Sequence, residues 1–211
     1  EHLDGEFWHR AFTVSADTPY TRYVISLGAN VEVTGGPTAV IRHADARIRG
    51  YKRVQVEPSL TITAACSAEW VPIRPKTDPA FLFAIIHVLV RERGLGELDI
   101  PFLRDRTASP YLVGPDGLYL RDPESHKPLL FDEGAGEVVP YDAPGAKPAV
   151  SGRYRVARAI SIDADAARKD YVDVEGATAY QALADHIERY TPEWASKICD
   201  VPAETIRRIA N

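Results

Sequence analysis

The sequence predicts an α/β fold, with a doubly wound, mostly parallel sheet, helices on both faces and a loop or hairpin insertion. The first observation is a run of β-branched and aromatic residues at 22–27 that ends at Gly28. The second is a helical pattern from Pro37 to Arg49, and the third is another apolar run at 53–56. A strand, a helix and a strand in this order favour a parallel pair joined by a crossover.

The helix between these two strands has boundaries that the sequence marks. Pro37 suits its first turn, where an N–H would have no helical partner, and Gly50 ends it. Its larger apolar side chains share one face, and they are Val40, Ile41, Ala44 and Ile48. Such a stripe is typical of a helix that packs one side against other elements.

A third strand and a long helix follow. Residues 68–73 are predicted to form a short strand. Thr77 or Asp78 then caps a helix that has Pro79 at its first position. This helix runs to Arg93 and is apolar nearly all round, which is typical of a buried helix.

The second half of the chain changes in character. Residues 110–150 contain seven of the sixteen prolines, and they predict a loop-rich hairpin insertion that could be a docking surface or a peripheral loop. The short strand candidates within it are 111–113, 118–120 and 129–131. Residues 178–211 are predicted to be helical, with a capping box of Thr178 and Gln181 and further helices beginning near Pro192 and Pro202.

The length of 211 residues suggests that residues 1–211 form a single α/β domain. At the start, Glu6–Ala11 could form a helical turn whose Phe7 and Trp8 pack on the core. The chain begins at Glu1 and contains no methionine, so we expect it to be a processed or excised part of a longer product.

Composition excludes several classes of function. A net charge of −5 argues against a nucleic-acid partner, and the longest apolar run, 79–90, is too short for direct membrane insertion. No signal peptide or twin-arginine leader is visible, and the location stays open between bacterial cytoplasm and periplasm. The two cysteines have no C-x-x-C spacing and the six histidines have no metal-binding spacing, so no metal ligand is predicted.

Polar turns after the predicted strands are the candidate binding residues. Gly28 permits a tight turn and close approach of a ligand to Gly28-Ala29-Asn30, and Asn30 can adopt a left-handed conformation and offers both a donor and an acceptor. The same residues also suit a plain turn. Glu57 could accept from a ribose hydroxyl or a purine amino group, or merely cap the next segment.

The third turn offers a carboxylate and an ammonium group. Asp78 could accept two hydrogen bonds from the N1–H and N2–H₂ edge of guanine, or only cap its helix. Lys76 could meet a phosphate, or be solvated. We find no self-contained catalytic constellation in the chain, so no catalytic residue is predicted.

Taken together, these turns resemble those of the molybdopterin oxidoreductases, the dimethyl sulfoxide reductase type. That family has a strand followed by Gly-x-Asn, a helix ending in Arg-Gly, a strand with Asp-Pro-Arg and Pro-Gly-Thr-Asp before an apolar helix. The resemblance covers about residues 22–109 and 178–210. The matching segments here are Gly28–Asn30, Ala46–Gly50, Val56–Ser59, Ala68–Ile73, Pro75–Asp78, Tyr190–Ala195 and Val201–Ala210.

The resemblance implies that the chain binds one guanine dinucleotide arm of the bis-molybdopterin guanine dinucleotide cofactor, which holds molybdenum in the parent enzyme. Expected cofactor-binding residues are Gly28, Ala29, Asn30, Glu57, Pro58, Ser59, Lys76, Thr77 and Asp78. The parent would carry out two-electron redox chemistry, with an iron–sulfur cluster that this segment does not hold. Expected partners are the remaining domains of the catalytic subunit and an iron–sulfur electron-transfer subunit.

The chain departs from the family pattern at four positions. Glu57 replaces Asp, Ser59 replaces Arg, Lys76 replaces Gly and Asp200 replaces a common Gly. The family's N-terminal cysteine motif, its molybdenum ligand and its C-terminal domain are not in this sequence, so we do not expect the chain alone to turn over a substrate. Two alternatives are a non-catalytic nucleotide- or thiamine-diphosphate-like binding or docking module, and a self-sufficient hydrolase, which has no motif.

Overall fold

The computed structural model describes residues 17–162 and 168–211. The predicted helical turn at Glu6–Ala11, with Phe7 and Trp8, lies outside the described residues.

The elements alternate between strand and helix in the first part of the chain. The strands are β1 (Tyr23–Leu27), β2 (Lys52–Val56), β3 (Glu69–Val71), β4 (Leu112–Val113), β5 (Leu129–Asp132), β6 (Glu137–Pro140), β7 (Arg153–Ile162) and β8 (Arg168–Thr178). The helices are α1 (Val31–Thr34), α2 (Gly36–Ile48), α3 (Ile62–Ala65), α4 (Asp78–His87), α5 (Ile100–Arg106), α6 (Ala179–Ile187), α7 (Pro192–Cys199) and α8 (Ala203–Ala210).

The chain divides into two compact units. The parallel-sheet unit contains residues 17–82, 192–209 and 211, and the antiparallel-sheet unit contains 83–162, 168–191 and 210. The α/β class is confirmed. The predicted parallel arrangement holds for β1, β2 and β3, whereas β4–β8 pair in antiparallel fashion.

In the parallel-sheet unit the strand order is β1-β2-β3. Leu27 pairs with Val56, and Val56 pairs with Val71, so the last residues of the three strands are in register. The middle strand is buried from Arg53 to Val56. Because all three strands run in the same direction, their carboxyl ends meet at one edge of the sheet.

Helix α2 has the predicted boundaries but not the expected buried face. It spans Gly36–Ile48, with Pro37 in the first turn, and Gly50 beyond it has a φ of 91°. Three residues of the predicted apolar face are exposed, since Val40, Ile41 and Ile48 are 39%, 60% and 85% exposed, whereas Ala44 is half-buried. The other less exposed residues of this helix are Gly36, Ala39, His43 and Ala46. Small and polar residues therefore face inward, and His43 contacts a buried ion pair of Arg53 and Glu32.

The predicted helices after Asp78 and after Thr178 are confirmed. Helix α4 continues through π-helical turns at Val88–Arg93 and ends at Gly94, which has a φ of 80°. Thr178 caps α6, because its hydroxyl oxygen accepts from the Gln181 N–H at 3.2 Å. The Gln181 side chain does not complete the capping box and instead bonds Ser151 and Asp185. Within the described residues, no helix is both long and apolar enough to cross a membrane.

The antiparallel-sheet unit contains a long hairpin that the sequence analysis did not assign. Strands β7 and β8 pair along nearly their whole length, and β4 adds to the edge of β8. The predicted strands at 111–113 and 129–131 appear as β4 and β5, whereas 118–120 makes only a bridge and hydrogen bonds to its neighbours. The core of this unit contains Leu112, Leu120, Leu129, Val156 and Ala159.

Asp116 connects the turn after β4 to the β7–β8 hairpin through hydrogen bonds. Asp116 lies in the turn after β4, and its carboxylate accepts from the Ser161 hydroxyl at 2.6 Å and the Tyr171 hydroxyl at 2.9 Å. It also accepts from the Leu118 N–H at 3.1 Å. Burial by itself raises the pKa of Asp116, but these hydrogen bonds and the charge of Lys169 together bring the pKa below its ordinary value of 3.8. The ionised carboxylate therefore joins β4 to both strands of the hairpin.

We expect Asp116→Ala to destabilise the antiparallel-sheet unit by about 2–3 kcal/mol, because it leaves several partly buried donors without an acceptor. Native-state hydrogen exchange of the β7 and β8 amides measures this loss. Asp142→Ala is the control, since Asp142 forms an exposed ion pair with Lys127 and its removal should change exchange little. Equal protection in the Asp116 variant and the wild type would contradict the assignment.

Candidate functional site

Two of the predicted turns lie side by side at the carboxyl edge of the parallel sheet. The Gly28 N–H donates to the Val56 carbonyl at 3.0 Å, and the Glu57 N–H donates to the Val71 carbonyl at 3.2 Å. The sheet ladder thus continues into both turns. We call Gly28–Asn30, Glu57–Ser59 and Lys76–Asp78 the strand-end site; the third of these turns follows β3 in the same unit.

The first turn has the backbone form that its glycine permits. Gly28 has a φ of 62°, and a Cβ added there would meet nothing within 4 Å, so the space beside it is open. Asn30 has a φ of −87° and is therefore not left-handed, which differs from the conformation considered for it. It precedes α1, and its carbonyl accepts from Val33 and Thr34. Its side-chain oxygen faces inward and lies 2.8 Å from the Thr63 hydroxyl.

A buried ion pair supports this turn from beneath. Arg53 on β2 is 3% exposed, and its guanidinium donates to the carboxylate of Glu32 on α1, which is 7% exposed. Arg53 also donates to the Ser67 hydroxyl at 2.9 Å. His43 on α2 lies beside both charges, with Nδ1 3.3 Å from Glu32 Oε1. The pair therefore joins α1, α2 and β2 below Asn30.

The charge state of Glu32 follows from these contacts. Burial raises the pKa of its carboxyl, but the hydrogen bonds from Arg53 and Thr63 and the Arg53 charge together hold the pKa below its ordinary value of 4.5. The Thr63 hydroxyl lies 2.6 Å from Glu32 Oε2 and accepts from the Glu32 N–H at 3.1 Å. Thr63 thus connects the ion pair to Asn30.

Glu57 in the second turn is 4% exposed, and its carboxylate is directed into the protein. It accepts from the Gln55 amide at 3.2 Å and from the Thr61 hydroxyl. Its backbone carbonyl accepts from the indole N–H of Trp70 at 3.0 Å. The next two residues, Pro58 and Ser59, are exposed. Within the described part of the chain, no cation is paired with Glu57.

The third turn contains a residue with a positive φ, Lys76, and a carboxylate without a described partner, that of Asp78. Lys76 is exposed and has a φ of 68°, which a residue with a Cβ adopts only at a cost. The Thr77 hydroxyl donates to the Arg74 carbonyl at 2.7 Å. Among the described residues, the Asp78 carboxylate has no hydrogen-bond or ion-pair partner. It is therefore available to accept from a ligand.

Lys76 and Asp200, which stand where the family pattern has glycine, both have a left-handed backbone conformation. Asp200, which follows α7, has a φ of 64°. Arg74 holds its carboxylate in a bidentate contact, with Nε to Oδ2 at 2.9 Å and Nη2 to Oδ1 at 2.8 Å. Asp200 thus gains an ion pair that glycine could not make, whereas Lys76 has no such contact in the described residues.

Sequence reasoning did not single out the residues that support the turns. They are Glu32, Arg53, Gln55, Thr61 and Thr63, and they make the hydrogen bonds described above. A signal was present, because a charged residue and an amide alternate with valines in β2, where a buried strand is usually apolar throughout.

The strand-end site presents open backbone and two charged groups. Gly28 leaves room for close approach, Asp78 offers a carboxylate without a partner among the described residues, and Lys76 offers an exposed ammonium group. A carboxylate accepts from N–H donors, and an ammonium group pairs with anions. In the ranges 17–162 and 168–211, no group of three or more His, Cys, Asp or Glu side chains could hold a metal ion.

Known proteins similar to the chain are oxidoreductases. It is 30% identical over 99% of its length to a sulfite dehydrogenase chain from Allochromatium vinosum. It is 30% identical over 92% of its length to a dimethyl sulfoxide reductase from Haemophilus influenzae. A third relative, 24% identical over 99% of the chain, is the molybdopterin-containing subunit of an arsenate respiratory reductase from a Shewanella species.

The chain spans about a fifth of the length of these relatives, since it covers 21%, 18% and 18% of them. No protein-family model matches it.

Lys76→Gly should stabilise the parallel-sheet unit by up to about 1 kcal/mol, because glycine adopts a positive φ without the cost of a Cβ. Urea unfolding followed by the fluorescence of Trp70 and Trp194, which lie in this unit, measures the change. Lys76→Ala keeps the Cβ and should give no such gain. Equal stabilisation by both substitutions would show that the backbone conformation is not the cause.

Glu32→Gln should destabilise the same unit by about 3 kcal/mol at pH 7, because it leaves the Arg53 charge buried without a counter-charge. Since the folded pKa of Glu32 is depressed, its contribution is complete above 4.5 and is lost as the pH falls through the lower folded value. The difference between variant and wild type should therefore shrink in acid.

Urea unfolding at a series of pH values measures this difference. Glu193→Gln removes one partner of the exposed ion pair with Arg207 and should cost less than about 1 kcal/mol at any pH. A Glu32 variant that behaves like this control, or whose loss stays constant in acid, would contradict the ion-pair account.

Proposed function

Because the chain belongs to the molybdopterin oxidoreductase family, we propose that it binds one guanine dinucleotide arm of the molybdopterin cofactor within a molybdenum-dependent oxidoreductase catalytic subunit. The main support is the strand-end site. Parallel strands in register place the Gly28–Asn30 and Glu57–Ser59 turns next to each other at the carboxyl edge of the sheet. Open α/β sheets bind their ligands outside this edge.

Guanine recognition rests on Asp78. A carboxylate matches the N1–H and N2–H₂ edge of guanine as a bidentate acceptor, whereas the same edge of adenine offers an acceptor at N1. Asp78 lies in the first turn of α4. We propose that Thr77 supports this contact by holding the turn through Arg74.

The other two turns suit the remaining parts of a dinucleotide. We propose that Gly28, Ala29 and Asn30 lie along the phosphates and a ribose, with the Lys76 ammonium group as a counter-charge to phosphate. Glu57, with Pro58 and Ser59, is assigned to the guanosine. A carboxylate group can accept more than two hydrogen bonds, and among the described residues the side chains of Gln55 and Thr61 donate to that of Glu57.

The activity and partners of a longer protein are part of this proposal. The cofactor, when bound, would supply two-electron redox chemistry at molybdenum, and this chain would supply binding and orientation. The exposed apolar side chains of α2, Val40, Ile41 and Ile48, support packing against further domains of a longer catalytic subunit. An iron–sulfur electron-transfer subunit is proposed from the family alone.

Calorimetric titration of the 211-residue chain with GDP, ADP and thiamine diphosphate tests the proposal. A preference for GDP is the expected result, even at weak affinity. A preference for ADP or thiamine diphosphate would overturn the guanine assignment and favour the alternative of a different nucleotide-binding module.

In the same titration, Asp78→Ala should weaken GDP binding by about 1–3 kcal/mol, because two donors of the base lose a charged acceptor. ADP binding should change much less. Asp45→Ala is the matched control. Asp45 is an exposed acid in the last turn of α2, and this end of the helix leads to the start of β2, away from the strand-end site. Equal GDP affinity in wild type and the Asp78 variant would remove Asp78 from the guanine site.

A further inference from the structure

Gln55 is a fully buried amide in the middle strand of the parallel sheet, and it lies between two apolar neighbours, Val54 and Val56. Its side chain is on the same face of β2 as that of Glu57, because residues two apart in a strand point the same way. Their contact confirms this, with Gln55 Nε2 3.2 Å from Glu57 Oε2.

The amide of Gln55 joins the two neighbouring turns of the strand-end site. The same Nε2 also donates to the Ala29 carbonyl at 3.2 Å. One NH₂ group therefore holds a backbone atom of the Gly28–Asn30 turn and the side chain of Glu57. Because the NH₂ group has two protons, it can make both hydrogen bonds at once.

Two further contacts complete the support of Glu57. The Thr61 hydroxyl donates to its other carboxylate oxygen, while Thr61 Oγ1 accepts from the Ala64 N–H at 3.2 Å and so caps α3. The Trp70 indole donates to the Glu57 carbonyl. Glu57 is thus held at its side chain and at its backbone, and Gln55 is the contact that connects it to the first turn.

The amide of Gln55 is satisfied at its nitrogen but, within the described part of the chain, not at its oxygen. Among the described residues, Gln55 Oε1 is buried and has no hydrogen-bond partner. An unpaired buried acceptor is unfavourable, and an apolar side chain of the same length would avoid it. Compared with such an apolar side chain, the amide therefore contributes the two hydrogen bonds that Nε2 donates to Ala29 and Glu57.

We propose that Gln55 is a positioning residue that sets the distance between the Gly28–Asn30 turn and Glu57, and thereby shapes the part of the strand-end site that takes the guanosine. The inference rests on the proposed function, since it assigns that site to a guanine nucleotide. Gln55 acts through Ala29 and Glu57 and does not itself touch the ligand.

The test uses Gln55→Met, which keeps the length of the side chain and removes its hydrogen bonds, with Gln55→Leu as a second variant should one of them fold poorly. Gln181→Met is the matched control, because it makes the same chemical change in the antiparallel-sheet unit. Two signals are recorded for each variant. The first is the NMR signal of the link, namely the resonance of the Trp70 indole N–H and the exchange rates of the backbone amides at 29 and 30. The second is the affinity for GDP.

For the Gln55 variants we expect a shifted Trp70 indole resonance, faster amide exchange at 29 and 30 and a roughly 10-fold loss of GDP affinity. The thermal midpoint should also fall, because the Ala29 carbonyl and a buried Glu57 carboxylate oxygen lose their donor. In a Glu57→Ala background, the Gln55 substitution should cost less than about twofold further, because the side chain that Gln55 links to the first turn is gone. The control should leave both signals unchanged.

The outcomes separate this inference from the proposed function. If the wild type prefers GDP but the Gln55 variants bind GDP as tightly, or if their loss is fully additive with Glu57→Ala, the positioning role is overturned. If the wild type shows no preference for GDP, the proposed function fails, and the NMR signals decide the link between the turns. Unchanged signals in the Gln55 variants would then overturn that link, and altered signals would support it.

Discussion

The guanidinium of Arg53 lies inside the parallel-sheet unit, where a charge without a partner would cost several kilocalories per mole. The surrounding elements are arranged to prevent this. Glu32 on α1 supplies the counter-charge, Ser67 accepts a hydrogen bond after α3, and His43 on α2 lies against both charges. A single side chain on β2 therefore contacts α1, α2 and the segment that follows α3.

Helix α2 turns a small and polar side toward this ion pair. Here the inward side carries Ala39, His43 and Ala46, which leave room for the ion pair, and Ile41 and Ile48 are left exposed. The same network reaches the ligand edge of the sheet, because Thr63 bonds both Glu32 and Asn30. Stability of the unit and the shape of the first turn therefore depend on the same contacts.

Sequence patterns predicted the parallel strands and most of the helices correctly, because the signals there are local. Pro37, Gly50 and Gly94 mark helix ends through their own backbone preferences, and Thr178 caps α6 through its own hydroxyl. The long β7–β8 hairpin was not assigned. Its arginines and acids interrupt the alternation of apolar residues, and they are stabilised by pairs across the strands, such as Arg153 with Glu175, that become visible only when both strands are in place.

By itself, the sequence determined the α/β class, the places where strands end in polar turns and the residue types at those turns, because strand ends and turns depend on neighbours a few positions apart. Its resemblance to the family implied that Lys76 and Asp200 stand where the family has glycine. Only the tertiary structure decided that both positions are left-handed, that Glu57 faces inward and that Asp78 is left without a partner among the described residues. Those outcomes depend on contacts such as Gln55 with Ala29 and Arg53 with Glu32, which join segments more than twenty residues apart.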